Sequence, residues 1–114
     1  MGFHFPKSLR LRRRGQFLLL GKRGRTFSDG RCSAQWLRTD LDCVRLGLTV
    51  SARTGMAVER NLFKRRAREA FRLSTLKNRQ GLDLNIRPRQ AIDISFQEFV
   101  EFFLALERYV FEKK

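Results

Sequence analysis

The residues best suited to chemistry in this sequence are cationic side chains that recur at helical spacing between residues 58 and 74. The segment reads VERNLFKRRAREAFRLS, and in a helix residues three, four, seven and eight apart share one face. One such face carries an amide and four positive charges: Asn61, Lys64, Arg65, Arg68 and Arg72. These side chains can bind a row of phosphates, but they are not acids or bases near neutral pH. The pattern therefore indicates binding of an anion.

The neighbouring face of the same segment predicts where the helix packs. It is apolar or small throughout and consists of Phe63, Ala67, Ala70, Phe71 and Ser74. Glu59 falls in the first turn, where a negative charge favours the helix dipole. Glu69 lies one turn from several arginines and is expected to keep their side chains extended. A basic helix face is also common on solvated surfaces, so both interpretations stay open on this segment alone.

Composition favours a polyanionic partner. The 114 residues include 25 Lys plus Arg against 11 Asp plus Glu, for a formal net charge of +14. Hydrophobic residues make up 42% of the chain and include 11 Phe, so one domain spanning residues 1–114 with a real core is expected. Self-repulsion on this scale makes nucleic acid the leading class of partner, with an anionic membrane surface as the competitor. No apolar run approaches the roughly 18 residues of a spanning helix.

The sequence offers little for catalysis or for metal binding by the protein itself. The N-terminal segment MGFHFPKSLRLRRRG is basic and lacks the apolar segment of a secretory signal, so a cytoplasmic location is expected. Cys32 and Cys43 are expected to be reduced, with a hairpin disulfide as the minor alternative. With His4 as the only histidine, the four ligands of a structural zinc site are lacking. No nucleophile or acid–base constellation is visible, as a nuclease using its own side chains would need.

Two helices are predicted besides the basic one. Residues 1–10 form a basic, flexible arm, and residues 12–20 make a short helix that Gly21 and Gly24 end. On that helix Phe17 and Leu20 share a face, which could be core or an exposed stacking surface. Near the C-terminus, Ser95 and Glu98 form a capping box. The apolar stripe that follows predicts a helix covering the sheet: Phe96, Phe99, Val100, Phe103, Leu106 and Val110.

Three segments show strand patterns. Residues 31–38 alternate loosely, with Cys32, Ala34 and Trp36 on one side, and residues 82–87 form a short strand that Pro88 ends. Residues 43–51 alternate strictly and point Val44, Leu46, Leu48 and Val50 to one face. The other face is accessible and small or polar: Arg45, Gly47, Thr49 and Ser51.

The run VRLGLTVSARTGMAVERNLFKRRAREAFR resembles the protein subunit of bacterial ribonuclease P. That family has a G-x-T-V-S strand followed by basic residues, a G-x-A-V loop, and a helix like R-N-R-x-x-K-R-x-x-R-E-A-F-R. The matching positions are Gly47, Thr49, Val50, Ser51, Arg53, Gly55, Ala57, Val58, Arg60, Asn61, Lys64 or Arg65, Arg68, Glu69, Ala70, Phe71 and Arg72. Weaker agreement extends to Arg10, Leu11, Phe17, Leu20 and Gly24, and to Asp83, Arg87 and Pro88.

The sequence departs from the family pattern at three positions. Leu62 stands where the third residue of R-N-R is expected, Ala52 replaces a lysine, and Gly21 replaces a second aromatic of the first helix. Arg66 and the cluster 12–14 are expected to compensate for the missing phosphate contacts.

The resemblance implies an α+β fold, a compact α/β sandwich of order αβββαβα with a left-handed βαβ crossover, and a role in removing the 5′ leader from precursor tRNA. The partner RNA, with bound Mg²⁺, would be the catalyst, and no protein partner would be required. Residues expected to bind the catalytic RNA are Arg53, Arg60, Asn61, Lys64, Arg65, Arg68 and Arg72. Residues expected in the cleft for the leader strand are Phe17, Arg45, Thr49 and Ser51. A general RNA-binding or ribosome-associated protein is the alternative.

Overall fold

The computed structural model describes residues 9–112, which form three helices and four strands. In chain order these are α1 (Arg14–Arg23), β1 (Arg25–Ser28), β2 (Cys32–Arg38), β3 (Val44–Leu48), α2 (Ala57–Leu73), β4 (Leu82–Pro88) and α3 (Phe96–Phe111). A short 3-10 helix, Thr75–Asn78, connects α2 to β4. The order αβββαβα is therefore confirmed.

The four strands form one mixed sheet in the order β1-β2-β4-β3. β2 pairs antiparallel with β1 and with β4, whereas β3 pairs parallel with β4. Because a parallel pair needs a crossover connection, α2 links β3 to β4. The left-handed sense of this crossover stays a prediction.

The chain before α1 joins the exposed edge of β3. Arg10 forms an isolated bridge with Leu46, and the backbone N–H of Leu11 donates to the carbonyl of Leu46 at 3.0 Å. Arg10 is thus held at the sheet edge, although the sequence assigned it to the flexible arm. Residues 1–8 of that arm lie outside the described part of the chain.

The main core lies between the sheet and the helices α2 and α3. Buried residues of β2 and β4 point into it, and aromatic rings join the two helices. The ring centroids of Phe63 and Phe99 are 5.1 Å apart, and those of Phe71 and Phe103 are 5.7 Å apart. α1 packs on the other face of the sheet, against β2 and β4. The sheet therefore separates the Phe-rich core from the side that α1 covers.

Two of the predicted boundaries are wrong. α1 continues through Gly21 to Arg23, because packing of the buried Leu20 offsets the roughly 1 kcal/mol that a helical glycine costs. β3 ends at Leu48 rather than at residue 51, since the chain turns at Ser51, whose carbonyl accepts from the N–H of Thr54 at 3.1 Å.

α3 begins as predicted. The Ser95 hydroxyl accepts from the N–H of Glu98 at 3.1 Å, and the Glu98 carboxylate accepts from the N–H of Ser95 at 2.9 Å. The apolar stripe of the helix faces the core, with Phe99, Phe103 and Leu106 fully buried. Among residues 9–112, no helix combines the length and the apolar character needed to span a membrane.

Candidate nucleic-acid interface

α2 separates an apolar face from a cationic face as the sequence predicted. Phe63, Ala67, Ala70 and Phe71 are all buried, and Ser74 ends the helix. On the cationic face Asn61 and Arg65 are exposed, whereas Lys64, Arg68 and Arg72 are half-buried: their stems lie along the protein. A helix that is anchored on its aromatic side can hold this row of cations at fixed spacing.

The carboxylates that form ion pairs in the described chain pair with other arginines. The pairs are Arg31 with Asp29, Glu98 and Glu101, Arg45 with Asp83, Arg66 with Asp93, and Arg79 with Glu107 and Glu112. Within residues 9–112, no ion pair includes Arg53, Lys64, Arg65 or Arg68. The α2 face therefore keeps charge that an external anion can neutralise.

Arg68 lies close to a second cation, Arg10. Burial, with a smaller contribution from the positive charge of Arg10, lowers the pKa of the Arg68 guanidinium. The protonated form is thus held close to another cation and partly out of water, which is unfavourable in the absence of an anion. A phosphate placed here would relieve that repulsion.

Arg53 and Arg60 border the N-terminus of α2. Arg53 is exposed in the turn after β3, and its N–H donates to the Ser51 hydroxyl at 3.3 Å. The Arg60 Nε donates to the Gly55 carbonyl at 3.2 Å, which orients the guanidinium against the loop. Both side chains extend the cationic face toward the G-x-A-V loop.

Two expectations about this helix are wrong. Arg66 does not compensate for Leu62, because its guanidinium donates to the Asp93 carboxylate and to the Ile94 carbonyl, both at 3.1 Å. It ties α2 to the segment before α3. Glu69 forms no ion pair with its neighbouring arginines in the described chain. Leu62 instead lines a shallow, mostly apolar hollow with Val58, Asn61 and Arg65.

A second candidate surface lies where α1 crosses the sheet. Phe17 of α1, half-buried, lies directly over Gly47 of β3: a Cβ built on Gly47 would be 2.7 Å from the Phe17 Cε1 atom. It would also be 3.1 Å from the Asn85 Oδ1 atom. The missing side chain lets the ring approach the sheet. Phe17 is therefore placed beside the small face of β3, as predicted.

The polar residues of this cleft are paired with β4. Arg45 forms a two-pronged ion pair with Asp83, with N–O distances of 2.8 and 2.7 Å. Thr49, beyond the end of β3, exchanges hydrogen bonds with the amide of Asn85 at 2.9 and 3.1 Å. Ser51 lies farther along, in the turn toward α2. Phe17, Arg45 and Thr49 thus line one side of the sheet, and Ser51 connects it to α2.

Sequence reasoning missed Asn85 as a residue of this cleft. Asn85 is 3% exposed and lies opposite Gly47 in the parallel pairing of β3 with β4. The available signal was an amide on the polar side of an alternating strand, two residues after Asp83, because a polar group that becomes buried needs a partner. Its position beside Gly47 depends on a pairing between strands 38 residues apart, which a local pattern does not reveal.

The fold and these surfaces define a class: a small α+β protein whose crossover helix presents cations suited to the backbone of a nucleic acid. Among residues 9–112, no three His, Cys, Asp or Glu side chains are grouped so that they could hold a metal ion.

The comparisons with known proteins give the family. The ribonuclease P family model matches residues 5–110. The ribonuclease P protein component of Desulforapulum autotrophicum is 41% identical over 90 residues, which cover 79% of this chain and 77% of that protein. The component of Thermotoga maritima is 33% identical over 104 residues, or 91% of this chain and 88% of that protein. The chain belongs to the ribonuclease P protein family, the protein subunit of a ribonucleoprotein endoribonuclease that acts in tRNA processing.

Solved structures of the family share the fold. The ribonuclease P protein from T. maritima superposes with a TM-score of 0.78 at 30% identity, covering 89% of this chain and 96% of that one. The Staphylococcus aureus protein gives a TM-score of 0.77 at 26% identity, with 90% and 97% covered. The resemblance found in the sequence is confirmed.

Proposed function

We propose that α2 binds the catalytic RNA of ribonuclease P, while the cleft between α1 and the sheet holds the single-stranded 5′ leader of precursor tRNA. The observation that carries the proposal is the cationic face of α2, on which Lys64, Arg65 and Arg68 take no part in the ion pairs among residues 9–112. Phosphate contacts of this kind position a protein on RNA without reading its sequence. The protein assists a cleavage whose chemistry is carried by the RNA.

Each group of residues has a proposed role. Arg53 and Arg60 contact backbone where the RNA passes the loop before α2. The α2 residues Asn61, Lys64, Arg65, Arg68 and Arg72 contact successive phosphates. Mg²⁺ is held mainly by the RNA, and the protein raises its local affinity indirectly by holding phosphates in place.

In the cleft, the half-buried Phe17 ring offers a surface on which a leader base can stack. Base–aromatic stacking contributes roughly 1 to 3 kcal/mol per base and tolerates any sequence. Thr49 and Ser51 supply hydroxyls along the same path. The Arg45 charge is matched by Asp83, so we assign Arg45 a positioning role in the cleft wall rather than a dominant phosphate contact.

Reconstitution tests the proposal. The purified chain, mixed with the catalytic RNA and precursor tRNA at low Mg²⁺, should accelerate release of the 5′ leader. A precursor that carries a leader of only one nucleotide should gain much less, because the cleft would have no strand to hold. If the protein binds the RNA but does not stimulate cleavage of either precursor, the chain is a general RNA-binding protein and the proposal is wrong.

A further inference from the structure

A second cluster of arginines lies away from α2, where the end of α1 meets the start of β1 and the end of β2. It surrounds a hollow of about 420 Å³ lined by Arg23, Arg25, Trp36, Leu37, Arg38 and Val110. We call this cluster the Trp36 patch. Its three arginines are exposed, and its lining includes no carboxylate.

The local fold determines why these residues meet. Arg25 and Trp36 are directly opposite in the β1–β2 pairing, and the Arg25 guanidinium carbon lies 5.9 Å from the centre of the Trp36 ring. The Arg38 Nε donates to the Gly81 carbonyl at 3.0 Å, and its guanidinium carbon lies 4.7 Å from the centre of the Phe111 ring. Hence a hydrogen bond holds Arg38 in place, whereas Arg25 lies over the Trp36 ring.

Trp36 contributes an unsatisfied donor. Its side chain packs edge-on against the Tyr109 ring at 6.3 Å, and the residue is only 8% exposed. The indole Nε1 is buried and has no hydrogen-bond partner within residues 9–112. Buried polar groups are nearly always paired, so an isolated indole N–H beneath an exposed arginine points to a missing acceptor.

The patch is distinct from the cleft described above. Neighbouring residues of a strand point to opposite faces, and Trp36 is directly opposite Leu84, a core residue, in the β2–β4 pairing. Trp36 therefore faces the α3 side, whereas Gly47 and Asn85 face α1. No ion pair within the described chain uses Arg23, Arg25 or Arg38.

We propose that the Trp36 patch binds the sugar–phosphate backbone of RNA, as a contact of the ribonucleoprotein additional to α2 and the cleft. The inference rests on the proposed function, because it takes RNA as the partner. Three exposed arginines around a hollow whose described lining has no carboxylate match a phosphate in charge, and the indole N–H of Trp36, unpaired among the described residues, is a donor that matches one of its oxygens. The RNA strand could belong to the catalytic RNA or to the body of precursor tRNA, which have the same backbone chemistry.

The test compares two double variants that each remove two exposed charges. Arg23→Gln with Arg25→Gln alters the patch, and neither guanidinium makes a hydrogen bond to another described residue. Lys77→Gln with Arg108→Gln is the matched control, since Lys77 lies in the 3-10 helix and Arg108 on the outer face of α3, both exposed. Thermal unfolding verifies that both variants are folded.

Two binding measurements distinguish the source of the RNA. One measures the affinity of each variant for the catalytic RNA alone, and the other measures the affinity of the assembled holoenzyme for precursor tRNA. We expect the patch variant to lose about tenfold in one of these affinities, with a shallower salt dependence, while the control changes much less. If the patch variant matches the control in both, the inference is wrong.

Trp36 provides an independent readout, because it is the only tryptophan of the chain. Its fluorescence should change when the RNA identified above binds, in the wild type and in the control, but far less in the patch variant. Arg65→Ala with Arg68→Ala separates the two proposals. If that variant keeps full affinity for the catalytic RNA, the proposed function of α2 fails. If it loses that affinity while the patch variant matches its control in both binding measurements, the further inference alone fails.

Discussion

Gly47 is the residue on which the geometry of the cleft depends. Replacing it with alanine would place a methyl group 2.7 Å from the Phe17 ring and 3.1 Å from both the Asn85 Oδ1 and the Leu11 Cβ atoms. We expect Gly47→Ala to displace Phe17 and to cost about 1 to 3 kcal/mol of stability through overpacking. In addition, the free energy of leader binding should become less favourable by about 1 to 3 kcal/mol if one stacked base is lost. Urea unfolding and the affinity of the holoenzyme for precursors with long and short leaders measure the two effects.

Gly21→Ala is the control for that substitution. Gly21 is helical, and a Cβ there would have no atom within 4 Å. The exchange should therefore stabilise the protein by about 0.5 to 1 kcal/mol and leave leader binding unchanged. Equal loss of leader binding in both variants would show that Gly47 has no special place in the cleft.

The two cysteines should differ in reactivity. Burial raises the pKa of the Cys32 thiol to about 12, and the residue has no exposed surface. Burial and the Asp42 carboxylate also raise the pKa of Cys43, but that residue is half-exposed. At pH 8 only about one Cys32 thiol in ten thousand would be ionised. We expect a thiol reagent to modify Cys43 first and Cys32 only through unfolding, as mass spectrometry of the labelled peptides would show.

The same Cys32 shift makes stability depend on pH in a defined window. The folded protein holds the thiol proton more tightly than the unfolded chain, whose ordinary value is 9.0. The contribution of the protonated Cys32 thiol to the free energy of unfolding is therefore fully present below pH 9 and is lost as the pH rises toward 12. Labelling of Cys32 at the same rate as Cys43 at pH 8 would contradict this account of its burial.

At the scale of elements, α2 performs two separable tasks. Phe71 is 1% exposed and packs against Phe103, so Phe71→Ala should cost about 3 to 5 kcal/mol of unfolding free energy. Arg68→Ala should leave stability unchanged or slightly higher, because it removes a partly buried cation close to Arg10. The affinity of the Arg68→Ala variant for the catalytic RNA should fall. Chemical denaturation and RNA binding on both variants test this, and similar destabilisation by both would show that the two faces are not independent.

Elements with strong local patterns could be predicted from the sequence. α2 and α3 each have a continuous apolar stripe, and α3 also has the Ser95–Glu98 capping box. β4 alternates and ends at Pro88 as expected. β1 is only four residues long and has one half-buried position, Phe27, so the pattern did not reveal it and only the family resemblance implied a third strand before α2.

Tertiary contacts account for what the sequence could not predict. Arg66 is sequentially part of the basic run, but Asp93, 27 residues later, removes it from the binding face. The cleft likewise depends on the pairing of Gly47 with Asn85. The Trp36 patch depends on the contact between the end of α1, the start of β1 and the end of β2. Charge and periodicity identify which residues can bind RNA, whereas packing decides which of them remain available.

At the scale of the molecule, the net charge of +14 is unevenly distributed. Ion pairs fasten α3 to its surroundings, through Arg31 at one end and Arg79 at the other. Arg79 donates to Glu107, which is 4% exposed and also accepts from the Thr75 hydroxyl at 2.6 Å. Acidic groups are thus used to hold the fold, and the cations outside the ion pairs of residues 9–112 include Lys64, Arg65 and Arg68 on α2 and the three arginines of the Trp36 patch.

This distribution predicts a steep salt dependence of RNA binding. If the α2 face and its loop neutralise roughly six phosphates, the logarithm of the association constant should fall with the logarithm of salt concentration at a slope of about −4 to −5. Each arginine-to-alanine exchange on α2 should make the slope shallower by about 0.7 to 0.9, because one fewer counterion is released. Filter binding between about 0.05 and 0.4 M salt would measure it. A slope near zero would mean that apolar contacts, such as the hollow beside Leu62, dominate the association instead of the cationic face.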